Sequence, residues 1–301
     1  MPELPESVII AHQMNRTICN KKIRQVVIQQ PKCLNRPEQD YSAGLVGNSI
    51  RNVEPWGKWI KCTLDSGDAL FINLGMGGEI IYFVDSAEIP IKVKFYLEFI
   101  DGSGFFVTLW WFGYFHLVRK NEANPMTDHL GPDALEISTD QFLNLLQKRR
   151  GAIKPFLLNQ KNIRGIGNFY IQEILFQAKL HPLRQISTLD ETDIIELYRA
   201  IHQVLNRSIE LGSSSYELDF FGNKGDYSLK ELSIAYDENS RCPVCGSQPE
   251  KIKTGGTSQY ICSQCQPLKD GELSDETAAE TTTQPQFRQT KIKKSIGKQT
   301  I

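Results

Sequence analysis

The chain has 301 residues, 40% of them hydrophobic, and a formal net charge of −1. That length suggests two domains. No apolar run reaches the roughly 18–20 residues that span a bilayer, and the opening Met1-Pro2-Glu3-Leu4-Pro5-Glu6 lacks the basic and apolar regions of a secretory signal, so a cytoplasmic protein with no membrane partner is expected.

Ser7 to Thr17 reads as a first helix, weakly amphipathic through Val8, Ala11, Met14 and Ile18. From Ile23 to about Val118 the signals are β. Ile23–Ile28 forms a short run. Trp59–Leu64 and Ala69–Ile72 flank Ser66-Gly67-Asp68 and read as a hairpin. Glu79–Phe83, Lys94–Ile100 and Phe105–Leu109 continue the pattern, with Asp101-Gly102-Ser103-Gly104 as a turn. Short strands at such spacing predict a β-sandwich.

From about Thr139 to Leu211 the pattern turns helical. The clearest helix spans Asp190 to Leu211, with Ile194, Leu197, Tyr198, Ile201, Val204, Leu205 and Ile209 on one face. Asp190 or Thr188 can cap its start, and Gly212 follows its last turn. From Pro267 onward apolar residues are sparse, which predicts a disordered tail over 267–301. Lysines near its end, and clusters at Lys148-Arg149-Arg150 and at Lys251 and Lys253, offer local positive charge to a polyanion or simply to solvent.

Two segments carry chemical signals. Cys242-x2-Cys245 and Cys262-x2-Cys265 offer four thiolates to one tetrahedral ion, the ligand set that zinc favours. Such a site has no open position for catalysis, so its role is structural, and the hairpin it folds can serve DNA, RNA or protein. The scattered Cys19, Cys33 and Cys62 read as small buried hydrophobes. The second segment is Ile163-Arg164-Gly165-Ile166-Gly167-Asn168-Phe169-Tyr170, between helical stretches at 154–158 and 169–178. It reads either as a plain turn or as an anion site, with Asn168 at a helix start where free N–H groups and the dipole favour a phosphate.

Met-Pro-Glu-Leu-Pro-Glu at the start, Gly-Ile-Gly-Asn before a helix and a C-terminal four-cysteine finger occur here in one order. Together they resemble the formamidopyrimidine-DNA glycosylase/endonuclease VIII family from residue 1 to about 266. The resemblance implies an α+β fold: an N-terminal catalytic β-sandwich domain (1–125), a helix–two-turns–helix domain (126–235) and a zinc finger (236–266), holding DNA in the cleft. It implies base-excision repair by a monomeric, nucleoid-associated glycosylase and strand-nicking lyase acting on double-stranded DNA with damaged bases or abasic sites. One structural Zn²⁺ is expected on Cys242, Cys245, Cys262 and Cys265.

By the same resemblance Pro2, freed by removal of Met1, is the nucleophile. Its α-amine titrates near pH ~8, so a neutral fraction exists under physiological conditions, and attack on the sugar C1′ gives a Schiff base. Glu3 is the acid/base, and Lys58, in Trp56-Gly57-Lys58-Trp59, approaches the damaged base and a phosphate. Glu6 and Glu173 are supporting carboxylates. Gly167 and Asn168 contact DNA. Met76, in Asn73-Leu74-Gly75-Met76-Gly77-Gly78, fills the gap left by the extruded base, with Phe112 as a second wedge. The Ser213–Asp226 region corresponds to a loop that closes over an oxidised purine.

The chain departs from the family's pattern twice. Trp111 stands where an Arg precedes the wedge Phe112; an indole stacks on any base but cannot read one by directed hydrogen bonds. The stretch before Cys262 has no Arg, and Lys253, the nearest cation, lacks a bidentate fork. These changes keep a second reading open, a non-enzymatic binder of damaged or distorted DNA, and a third, a zinc-ribbon adaptor. Pro2, Glu3, Glu6 and Lys58 favour the enzyme.

Overall fold

A computed structural model describes residues 1–236, 240–254, 256–268 and 271. The tail expected over 267–301 lies, apart from 267, 268 and 271, outside the described residues.

The first structured element is α1 (Leu4–Ile18). It begins earlier than the Ser7 start expected, because Pro5 sits in the first turn, where its missing N–H costs nothing. The Glu6 carboxylate accepts from the Glu3 backbone N–H at 2.8 Å and closes that turn. Strands β1 (Ile23–Ile28), β2 (Ile50–Trp56), β3 (Trp59–Leu64), β4 (Ala69–Asn73), β5 (Glu79–Phe83), β6 (Phe95–Phe99), β7 (Gly104–Thr108) and β8 (Tyr114–Val118) follow, with a short helix α2 (Glu38–Leu45) before β2. They form two four-stranded antiparallel sheets, β1-β6-β7-β5 and β2-β3-β4-β8. The expected β3–β4 hairpin pairs Ile60 with Ile72 through Thr63 with Ala69.

The inner faces of the two sheets share one core, in which Phe95 of β6 stacks on Phe115 of β8 with ring centroids 4.4 Å apart. Strand β2 and helix α2 were not among the expected elements. In β2 only Ile50 and Val53 are buried, so its sequence shows no alternation. In α2 the buried residues are Tyr41, Gly44 and Leu45 among polar neighbours.

The helical half contains α3 (Thr139–Leu146), α4 (Ile153–Leu158), α5 (Tyr170–Gln177) and α6 (Glu191–Glu210). Asp190 caps α6, accepting from the Asp193 N–H at 2.8 Å. Leu197, Ile201, Val204 and Leu205 turn its apolar face into a second core. A hairpin of β9 (Glu250–Thr254) and β10 (Thr257–Ile261) carries the cysteine pairs at its base. It is bound to the helices by buried Lys154 of α4, which donates to Thr254 Oγ1 at 2.6 Å and Thr257 Oγ1 at 3.1 Å. Among the described residues no helix is long and apolar enough to cross a membrane.

Helix α1 belongs to both cores. Leu4 is buried in the helical core, whereas Ile10, Ala11, Met14 and Ile18 are buried in the sandwich. A second seam lies at Arg164, whose guanidinium sits 4.0 Å from the Trp56 ring centroid and pairs with Asp133 at 3.4 Å. The joint between the halves is therefore built from the first turn of α1 and the Gly-rich segment before α5.

Phe115→Ala removes the ring that joins the two sheets. It should destabilise the protein by about 3–5 kcal/mol, the range for large aromatic truncations in a core. Urea unfolding measures this; a loss under about 1 kcal/mol would contradict a shared core.

Candidate active site

A cavity of about 630 Å³ opens at this joint, lined among others by Met1, Glu3, Glu6, Lys58, Met76, Asn168, Ser214, Tyr216, Glu217 and Tyr236. Its floor is the N-terminus itself. Leu4 donates its N–H to the Gly165 carbonyl at 3.0 Å, which lays the first residues along the Gly-rich turn. Buried Glu3 then accepts from the N–H groups of Gly167 at 2.7 Å and Phe169 at 3.0 Å. Burial raises the Glu3 carboxyl above the usual carboxylate range; the nearby Lys58 charge and the two N–H donors pull against it, and Glu6 adds to the rise.

Two N–H groups of the turn, those of Gly167 and Phe169, are thus taken by the protein's own Glu3 carboxyl. Gly167 is buried against that carboxylate, at the wall of the cavity. A Cβ on Gly167 would collide with Glu3 Oε1 and stand 2.5 Å from Lys58 Nζ, so glycine is required by close approach. Asn168 is exposed on the cavity rim, one residue before Phe169, the N-cap of α5.

Glu6 lies deeper. It accepts from Tyr170 Oη at 2.5 Å and from the Ser214 N–H at 3.1 Å, and Tyr170 Oη also meets Ser208 Oγ at 2.6 Å. One carboxylate thus gathers α1, α5 and the loop after α6. Lys58 projects from the turn between β2 and β3, whose carbonyl is held by Asn73 Nδ2 at 3.0 Å. Glu173 does not join this group. It is buried on α5, accepting from the Ser233 N–H at 2.7 Å, Ser233 Oγ at 2.8 Å and Gln177 Nε2 at 2.9 Å. It is not among the residues that line the cavity, and its hydrogen bonds tie α5 to the segment at Ser233.

The structure brings the expected wedge residues together. Met76 and Trp111 exchange backbone hydrogen bonds of 2.8 and 3.3 Å between two loops. A Cβ on Gly75 would collide with the Trp111 carbonyl, which permits only glycine there. Met76, Trp110, Trp111 and Phe112 are all exposed. Phe112 adopts φ +57, uncommon for a bulky residue, and this conformation is where local strain meets an exposed ring.

Several cavity residues escaped the sequence reading. Tyr236 holds φ +63, accepts from Gln172 Nε2 at 2.6 Å and stacks on Phe169 at a centroid distance of 6.1 Å. Tyr216 meets Phe169 edge-on at 5.8 Å. Glu217 pairs through Oε1 with the N-terminal ammonium at 2.8 Å. The sequence marks the loop that carries Tyr216 and Glu217, but nothing local in it distinguishes these two side chains from a solvated stretch.

At the far hairpin the Sγ atoms of Cys242, Cys245, Cys262 and Cys265 lie within 4.8 Å of one another, with 3.6 Å between Cys242 and Cys265 and 3.4 Å between Cys245 and Cys262. Four thiolates about 2.3 Å from a tetrahedral ion stand about 3.8 Å apart, so the cluster has the size of a metal site.

Two family descriptions match the chain: the formamidopyrimidine-DNA glycosylase N-terminal domain over residues 1–115 and the formamidopyrimidine-DNA glycosylase H2TH domain over 130–219. A formamidopyrimidine-DNA glycosylase of Enterococcus faecalis is 31% identical, covering 91% of this chain and 100% of its own length. One of Desulfitobacterium hafniense is 32% identical over 88% of this chain and 100% of its own. Among solved structures, the wild-type Lactococcus lactis enzyme in complex with DNA containing N7-benzyl-Fapy-dG superposes with a TM-score of 0.81 at 26% identity, covering 89% of this chain and 100% of that one. The same protein with abasic-site DNA gives a TM-score of 0.81 at 26% identity, over 88% of this chain and 100% of that one.

Gly167→Ala should push Glu3 off both N–H groups. Losing hydrogen bonds to a buried carboxyl predicts a cost of about 1.5–3 kcal/mol. Chemical denaturation reads it, and an unchanged midpoint would contradict the close approach.

Proposed function

Because the chain belongs to the formamidopyrimidine-DNA glycosylase family, we propose that it excises damaged bases from double-stranded DNA and nicks the strand at the resulting site, with Pro2 as nucleophile. The observation that carries this reading is the burial of Glu3 against the Gly-rich turn, directly beside the N-terminal residues and facing Lys58 across one cavity. A protein that only gripped distorted DNA has no use for a buried carboxyl next to a terminal amine. Relatives in complex with damaged and abasic-site DNA support the same substrate class.

Removal of Met1 makes Pro2 a secondary amine. Its lone pair attacks C1′ of the damaged nucleotide, and the C1′–base bond breaks with its electron pair leaving on the base. Glu3, whose carboxyl burial raises above the usual range, is the proton donor to the ring oxygen, so that the sugar opens. The attacking nitrogen sheds its one proton to the departing base, and its lone pair then closes the iminium as the C1′–O pair moves to the ring oxygen. An iminium from a secondary amine carries no N–H proton and remains an electron sink. Loss of the C2′ proton then expels the 3′ phosphate, and a second elimination expels the 5′ phosphate. Lys58, beside Glu3, offers a cation to the developing negative charge on base or phosphate. Met76 and Phe112 occupy the space of the extruded base, and exposed Trp111 stacks on the partner strand. Tyr216 and Tyr236 wall the cavity that would receive the base.

The cysteine cluster suits zinc, and a four-cysteine site with no open position holds the hairpin without taking part in the reaction. Lys154 binds that hairpin to α4, so the metal would set the position of this DNA-facing edge. A DNA substrate implies residence with the chromosome.

Borohydride added during incubation with abasic-site duplex should yield a covalent protein–DNA adduct. Pro2→Gly should slow its formation by at least about 10²-fold, the scale of losing a well-matched nucleophile or acid/base group. Undiminished trapping with Met1 retained would overturn the Pro2 assignment. Metal analysis should return one zinc per chain, and Cys262→Ser should lose zinc and DNA affinity together. A zinc-free protein with full affinity would refute the structural role.

A further inference from the structure

Among the described residues the cavity is lined by three carboxylates near the N-terminus, Glu3, Glu6 and Glu217, and they are not equivalent. Glu3 is held by two backbone N–H groups and faces Lys58. Glu6 is held by the Glu3 N–H, Tyr170 and the Ser214 N–H. Turning either one toward the amine would strip buried donors of their acceptor. Glu217 has a different environment: its partner among the described residues is the ammonium of Met1, at 2.8 Å, one residue before the Pro2 nitrogen.

Its position is built, not incidental. The loop after α6 is tied to α1 on both sides of Glu217. On one side the Ser214 N–H reaches Glu6. On the other, Gln13 Nε2 donates to Asp219 Oδ2 at 2.8 Å and the Phe220 N–H donates to Gln13 Oε1 at 2.9 Å. The helix whose start carries the amine thus also fixes the loop that carries the carboxylate. Removing Met1 moves the terminal nitrogen by one residue, at most about 3.6 Å, which is within the reach of a Glu side chain.

We propose that Glu217 is the proton acceptor of the mature N-terminal amine, orienting Pro2 for attack and relaying the proton that its nitrogen sheds. The assignment rests on Pro2 being the nucleophile. At an abasic aldehyde the steps balance as follows. Neutral Pro2 attacks C1′, its lone pair forming the C–N bond while the carbonyl π pair moves to oxygen. The nitrogen now bears a positive charge and one proton. Glu217 takes that proton and passes it to the alkoxide, leaving a neutral carbinolamine. The hydroxyl takes one further proton from solvent and departs as water with the C–O pair, and the nitrogen lone pair closes the iminium.

The surroundings suit a relay. Burial raises the Glu217 carboxyl above the usual range; the ammonium pulls it down, and Glu6 from α1 and Glu79 from β5 push it up. A carboxyl so placed exchanges protons closer to neutrality than a solvated one.

The test compares wild type, Glu217→Gln and Glu217→Asp, each with Met1 removal verified by intact mass. Borohydride-trapping rates on abasic-site duplex are measured from pH ~5 to ~8, alongside affinity for a duplex carrying the uncleavable tetrahydrofuran analogue. Glu217→Gln should trap about 10²-fold slower and keep only the acid limb set by protonation of the amine, losing the extra steepness that protonation of Glu217 gives the wild-type limb, while affinity changes by less than about threefold. Glu217→Asp should recover part of the rate and of that steepness. Equal rates for wild type and Glu217→Gln at every pH would overturn the assignment while leaving Pro2 in place. So would a parallel loss of affinity and trapping in both variants, which would make Glu217 a structural tie. If wild type itself fails to trap, the Pro2 reading falls and takes this one with it.

Discussion

The hydrogen bonds from Gly167 and Phe169 to the Glu3 carboxyl are the constraint on which the rest of the structure depends. They join residues 164 and 166 positions apart in sequence. Without them the first three residues would be a loose end. With them, the N-terminus becomes the floor of a cleft between a sandwich and a helical half. Leu4 continues the contact into the helical core, and the later turns of α1 enter the sandwich core. The terminal amine is thereby fixed to both halves at once, which a flexible terminus cannot achieve.

The same clasp sorts the electrostatics. A helix start with free N–H groups would ordinarily attract an external anion. Here an internal carboxyl takes two of them, and the Lys58 Nζ lies beside the same glycine. Burial works against ionisation of Glu3 while its donors favour it.

Much of the architecture was legible in the sequence. Local signals predicted most strands, the long amphipathic α6 with its Asp190 cap, and the paired cysteines. Each depends on residues close in the chain. Strand β2 was not legible because only Ile50 and Val53 are buried along it. The start of α1 was misplaced because two prolines look like a loop until the first-turn exemption is considered. In the site, Glu3, Glu6 and Lys58 were named and do converge, whereas Glu173 was assigned to the cavity and instead anchors Ser233. A helical residue changes its facing by about 100° per position, so a carboxylate on α5 cannot be assigned a side from its type alone. Tyr236 and Glu217 were missed for a related reason. Their importance lies in partners far away in sequence, Gln172 and the N-terminus, which no local pattern announces.

The central claim is that the amine delivered by this clasp, and no other nitrogen in the cavity, forms the bond to DNA. Lys58 is the competing nucleophile, since its ammonium lies in the same cavity. Peptide mapping by mass spectrometry of the borohydride-reduced adduct separates the two. The sugar remnant is expected on the nitrogen of Pro2, in an N-terminal peptide lacking Met1. A remnant on Lys58, with the N-terminal peptide unmodified, would contradict it.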